Sequence, residues 1–155
     1  MSVGDNLLKV VDAGSDAPAA PDYRLQEQVG FLLRKAQQRH VSLFAASISD
    51  LTPPQFAALA TLGDVGDCSQ NQLGQMVAMD AATIKGVIDR LKARGLVSLA
   101  AHEEDRRRLV VTLTDEGRTT LATLVPLARR ISEETLAPLN AREQATFLRL
   151  LARIT

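Results

Sequence analysis

The sequence predicts a mainly α-helical fold with a small β wing, and three observations carry that prediction. Apolar residues recur at three- and four-residue steps through most of the chain, the period of a helix with one buried face. Ser, Thr, Asp and Asn stand immediately before these runs as ready N-caps. Two short runs, 96 to 100 and 109 to 113, read as the strands of a hairpin, and the charged octapeptide AHEEDRRR separates them. Composition agrees: the chain is 46% hydrophobic with no Trp and one Tyr, so its contacts rest on aliphatic side chains. Its 155 residues suffice for one domain with a real core and are too few to argue for two.

Taken in order, residues 1 to 22 are rich in Ala, Asp, Gly and Pro. Such a composition buries too little to offset its ordering entropy and predicts a flexible N-terminal arm. Its one apolar patch, Leu7, Leu8, Val10 and Val11, is suited to packing across a partner. From Tyr23 to Ser49, Leu25, Val29, Leu32, Leu33, Ala36, His40, Leu43, Phe44 and Ile48 define a long amphipathic helix. Thr52, with Pro53 at the first helical position and Gln55 three residues after the cap, opens a second helix expected to end near Gly63.

The stretch from 64 to 68 reads as a link with a short strand at its end. Ser69 and Gln72 repeat the capping-box pattern and open a short helix through Leu73, Met76 and Val77. Asp80 caps the next helix, 81 to 94, whose buried face is Ile84, Val87, Ile88 and Leu91, with Gly95 as its left-handed terminator. Two short helices, a strand, a charged tip and a second strand in succession form a winged helix-turn-helix, expected over 53 to 113. Thr114 caps the following helix, with Gly117 where a boxing acid would stand. Asp115 and Glu116 favour its positive end, and Pro126 is expected to bend it before it stops near Thr135. Asn140 caps a last helix with Phe147, Leu148, Leu150, Leu151 and Ile154 on one face.

The expected architecture is thus six helices and a two- to three-stranded hairpin, with residues 23 to 155 forming one domain. The helices at 23 to 49 and 115 to 155 carry more apolar surface than one small lobe covers, so they are expected to pack against a second copy. A twofold axis would then space two reading helices, and the DNA site would be an imperfect palindrome.

Formal net charge is zero, which does not by itself suggest a nucleic-acid partner. The average conceals an excess of three positive charges between Lys85 and Arg108, where seven basic residues face four acids. Ala81, Ala82, Thr83, Lys85 and Gly86 occupy the start of the 81 to 94 helix, which suits a DNA major groove: Thr reaches bases or phosphate and Lys reaches guanine acceptors. Arg90 and Arg94, later on that helix, suit phosphate or a neighbouring acid. Arg107 at the wing tip suits a narrow minor groove, where negative potential attracts a guanidinium. Asp105, two residues earlier, is expected to orient it in a fork of hydrogen bonds. Arg106 and Arg108 read as phosphate contacts or strand-edge charges. Asp89, which phosphate would repel, is expected to bond inward or to a basic neighbour.

The motifs LTPPQFAALATL at 51 to 62, LGQMVAMDAATIKGVIDRLKARGLV at 73 to 97 and DRRRLVVTLTDEG at 105 to 117 carry a resemblance. The sequence resembles the multiple-antibiotic-resistance-regulator (MarR) family of bacterial transcription factors over roughly residues 30 to 150. That resemblance implies an obligate, mostly helical and roughly triangular homodimer. It also implies a repressor that a small aromatic carboxylate or phenolic ligand releases from double-stranded DNA. One departure stands out. The family commonly has Thr-Val-Thr-Arg where this chain has Thr83, Ile84, Lys85 and Gly86, so the arginine position is a glycine.

In a dimer whose pocket lies between the first, second and fifth helices, Arg39 or His40, beside Phe44, would receive a carboxylate. The alternative for His40 is a hydrogen-bonded core residue. Cys68, the lone cysteine, predicts a reducing compartment. Some members of the family switch by thiol chemistry, and Cys68 sits one residue before a helix start, although Asp64 and Asp67 oppose a thiolate there. His102, Glu103, Glu104 and Asp105 could hold a metal only loosely and read better as an acidic wing base, so no metal or cofactor is expected. There is no glycine-rich phosphate loop, nucleophile elbow or histidine pair at metal spacing, so no enzyme is expected. With no basic leader before an apolar run and no long apolar segment, neither a signal peptide nor a membrane span is expected, and the protein reads as cytoplasmic. Gly86 and zero net charge favour one alternative class, a helical protein-interaction module that has lost specific DNA binding.

Overall fold

A computed structural model describes residues 22–155. The arm expected over 1 to 22, with its Leu7–Val11 patch, lies outside the described residues save for Asp22. A single 3-10 turn, Leu25–Glu27, leads into six helices and three strands. These are α1 (Val29–Ser47), α2 (Pro53–Val65), β1 (Cys68–Ser69), α3 (Gln70–Met76), α4 (Ala81–Ala93), β2 (Val97–Ala101), β3 (Leu109–Leu113), α5 (Asp115–Leu136) and α6 (Ala141–Leu151).

The capping residues do what their side-chain chemistry dictates. Thr52, Ser69 and Asn140 each close a full capping box, with Gln55, Gln72 and Glu143 respectively. The Asp80 and Thr114 side chains accept from the third backbone amide of α4 and α5. Gly95 ends the α4 segment at φ 71°, a left-handed conformation open to glycine at little cost. The strands form one antiparallel sheet in the order β1-β3-β2. Val97 pairs with Leu113 and Leu99 with Val111, while Cys68 pairs with Val111 from the other side.

Three boundaries depart from the sequence-based expectation. The first helix begins at Val29 instead of Tyr23, because Arg24 and Gln28 are extended and enclose the separate 3-10 turn. The second helix runs through Gly63 to Val65 and stops at Gly66, which has φ 79°. Gly63 lies beside α5, where a Cβ would meet a Leu121 methyl. The first wing strand is shifted by one residue, because Leu96 closes the α4 terminus by donating its amide to Leu91. Pro126 lies inside α5 without ending it.

The core joins α1, α2, α3, α4, the sheet and α5. Leu59, Leu73, Ile84, Ile88, Leu91, Val111 and Ile131 are its largest fully buried side chains. All four apolar residues expected on the inner face of α4 are in it. Helix α6, by contrast, buries nothing, and Phe147, Leu148, Leu150 and Ile154 are exposed. Phe147, Leu150 and Ile154 line an apolar groove of about 550 Å³ with Val29, Leu32 and Leu33 of α1.

Candidate nucleic-acid interface

With Ile84, Val87, Ile88 and Leu91 buried, the opposite side of α4 is the outer surface of the lobe. Ala81, Ala82, Thr83, Lys85, Asp89 and Arg90 are exposed on it, and Gly86 is half-buried. Asp80 holds the helix start: its Oδ1 accepts from the Thr83 backbone amide at 2.7 Å. That bond keeps the Asp80 carboxyl below its ordinary pKa. A Cβ placed on Gly86 would meet nothing within 4 Å, and its φ is not positive. Neither packing nor backbone conformation within the protein therefore calls for glycine there.

Asp89 pairs with a basic neighbour on its own helix. Lys85 Nζ lies 2.7 Å from Asp89 Oδ2, one turn away, and both side chains are more than half exposed. Such a pair adds about 0.3–0.5 kcal/mol and yields readily to a better partner. Arg94 is engaged differently from either expectation. It is the C-cap of α4, and its guanidinium donates to the Asp50 carbonyl in the α1–α2 loop, tying the helix end to the rest of the lobe.

At the wing tip, Asp105 acts on backbone instead of on a guanidinium. Its Oδ1 accepts from the Arg107 amide at 3.1 Å, and its carbonyl accepts from the Arg108 amide at 2.9 Å. The expected side-chain fork is therefore replaced by a turn in which the short carboxylate folds back on the chain. Arg106, Arg107 and Arg108 are left exposed, with no ion pair to any of them among the described residues. His102 Nδ1 accepts from the Glu104 amide at 3.2 Å, and no group of metal-ligating side chains gathers among the described residues.

A second recess lies between α3 and the wing. It has a volume of about 410 Å³ and is lined by Gln70, Asn71 and Gln75 on one side and Arg107, Arg108 and Leu109 on the other. The sequence assigned α3 a capping box and an apolar face but no binding residues. The free carboxamides beside its capping box were the signal available there.

The residues expected to receive a ligand are brought to the junction of α1 with the end of α5. Arg39 donates to the Glu134 carbonyl at 2.8 Å and lies 3.4 Å from that of Thr135, while His40 Nδ1 is 3.0 Å from Thr135 Oγ1. Phe44 is a core residue, 3% exposed, and meets Phe56 edge-to-face at 6.0 Å between centroids. Cys68 gains no acidity from the neighbouring helix. Burial raises its thiol pKa and the Asp67 charge raises it further, against the thiolate that a redox switch needs. It is also a lone cysteine, without a resolving partner in the chain, so the redox reading has no support.

A family model described as MarR family matches residues 49–108. The HTH-type transcriptional repressor NicR of Pseudomonas putida is 46% identical over 134 residues, covering 85% of this chain and 85% of that protein. A probable transcriptional regulator from Pseudomonas aeruginosa has a similar crystal structure, with TM-score 0.83 and 52% identity over 85% of this chain and 100% of that one. Bordetella bronchiseptica BpsR, whose DNA binding is regulated by 6-hydroxynicotinic acid, has TM-score 0.82 and 43% identity over 85% of this chain and 96% of that one. No described helix is long and apolar enough to cross a membrane.

Proposed function

The chain belongs to the MarR family of winged helix-turn-helix regulators, non-enzymatic proteins that bind DNA sequence-specifically; from that premise we propose that it is a homodimeric repressor released by a small aromatic acid. One observation carries the reading: the outer face of α4 and the arginine-bearing wing, whose strand β2 packs against α4, are both exposed on a lobe whose core lies behind α4. Helix α4 enters the major groove with Ala81, Ala82, Thr83, Lys85 and Gly86 toward the bases. Arg90 approaches the phosphates, and Arg107 enters the neighbouring minor groove on the turn that Asp105 shapes. Arg106 faces the backbone. Arg94 contributes by fixing the end of α4.

The apolar α1–α6 groove supports the dimer, because a lone protomer leaves Phe147, Leu150 and Ile154 in water. Two copies present two α4 helices to an imperfect palindrome. BpsR, whose DNA binding is regulated by 6-hydroxynicotinic acid, supports the proposed effector class. Arg39 and His40 suit a carboxylate because both already link α1 to the end of α5. An anion competing for the Arg39 guanidinium would loosen that link and change the angle between the reading lobes. It releases DNA to the extent that it binds the free form more tightly than the bound one.

The test is a fluorescence-anisotropy titration of the purified protein against the DNA upstream of its own gene. Two salt concentrations are used, with and without benzoate-like and nicotinate-like acids. Tight binding that weakens steeply with salt and is released by one acid is expected. Arg107→Ala should weaken binding at least tenfold. Wild-type binding no tighter than to random DNA would reject the proposal.

A further inference from the structure

The outer face of α4 has a dent in it, at Gly86. With about 3.6 residues per turn, this position lies roughly opposite the buried Ile84, Val87, Ile88 and Leu91. Its neighbours one turn away on either side, Ala82, Thr83, Asp89 and Arg90, are all exposed, whereas Gly86 between them is half-buried. No side chain closes the gap, because a Cβ built on Gly86 meets nothing within 4 Å. Lys85, the long side chain next to it, is drawn along the flank of the helix to Asp89, 2.7 Å away. Glycine weakens a helix interior relative to alanine, and nothing within the protein uses the room it leaves. A glycine that is costly to the helix and open to the outside suits close approach by a molecule that the fold does not contain.

The chemistry of the dent limits what enters it. Backbone amides and carbonyls in mid-helix are bonded to one another, so Gly86 offers only its Cα hydrogens. The complementary group is apolar and the size of a methyl, and the bases present one such group in the major groove, the C5-methyl of thymine. Resting on the docking proposed above, we infer that Gly86 is a specificity-determining residue, and that each α4 seats a thymine methyl against the Gly86 Cα. Specificity at this base pair then comes from depth instead of reach. A side chain at position 86 would hold the helix away from the base that the bare backbone touches.

Full-length wild type and Gly86→Ala are titrated against three kinds of DNA. These are the upstream duplex, a random duplex, and upstream duplexes in which one thymine at a time is replaced by deoxyuridine, which removes the methyl and nothing else. Gly86→Ala should be at least as resistant to urea as wild type, so a loss of binding is not a loss of fold. Its affinity for the upstream DNA should fall about tenfold, while its affinity for the random duplex, set by phosphate contacts, should stay the same. Wild type should lose roughly fourfold when one particular thymine of a half-site is demethylated, and Gly86→Ala should be indifferent to that same methyl. Unchanged upstream affinity in Gly86→Ala would overturn the inference. So would the lack of any thymine whose methyl is felt by wild type and not by the variant. Failure of the repressor reading has a different signature, since wild type would then bind upstream and random DNA equally, and that result would overturn this inference with it.

Discussion

At the scale of single residues, Gly86 stands in the middle of a helix that gains nothing from it internally. Glycine costs a helix interior about 1 kcal/mol relative to alanine, and a Cβ here meets open space. Gly86→Ala should therefore raise stability by about 0.5–1 kcal/mol in urea unfolding. A destabilised variant would show that the glycine answers a constraint within the fold. Asp80 gives a pH signature. Its folded pKa is depressed by the Thr83 amide, so its contribution is present above the unfolded carboxylate value of about 3.9 and is lost as pH falls through the lower folded value. Asp80→Asn keeps a capping oxygen but does not titrate. The stability advantage of wild type over this variant should disappear in acid, and an advantage constant from pH 7 to pH 3 would contradict the assignment.

At the scale of elements, much of the chain was legible because caps are written locally. Thr52, Ser69, Asp80, Thr114 and Asn140 all cap the helices assigned to them. What sequence misplaced had several causes. Gly63 reads as a terminator, yet α2 runs on to Val65, with Gly63 beside Leu121 of α5. The turn chemistry of Asp105 was hidden because an Asp two residues before an Arg suits a side-chain fork and a backbone turn equally well. The junction of wing and α5 shows how tight such contacts are. A Cβ on Gly117 would strike the Leu96 carbonyl, which also accepts the Thr114 amide at 3.1 Å. Gly117→Ala should destabilise the protein by roughly 1–3 kcal/mol in urea unfolding. A neutral result would mean that the wing root moves freely against α5.

At the scale of the whole molecule, the feature most plainly foretold was the surplus of apolar surface on the first and last helices. The alternation of apolar and polar positions in α6 is helical, yet no residue of that helix is buried in one chain. Periodicity reveals that a face must be covered but not by what, so the partner was legible only as a need. Leu33, 42% exposed, and Phe147, 38% exposed, line the same groove. On the proposed dimer, Leu33→Glu or Phe147→Glu should shift sedimentation toward monomer and abolish tight operator binding. Persistence of the wild-type dimer in both variants would place the interface elsewhere. The setting of Arg39 and His40 was less legible, because both meet α5 some ninety-five positions away. No local pattern announces such a pairing.

The order β1-β3-β2 places the strand leaving the wing tip between its two partners, with Val111 fully buried beneath it. The wing is thereby anchored by its return strand, while residues 102 to 108 project beyond the last ladder pair, Ala101 with Leu109. Anchorage and projection are thus separate segments of chain. Transplanting a relative's tip onto this sheet should therefore alter DNA preference while leaving the melting temperature where it was.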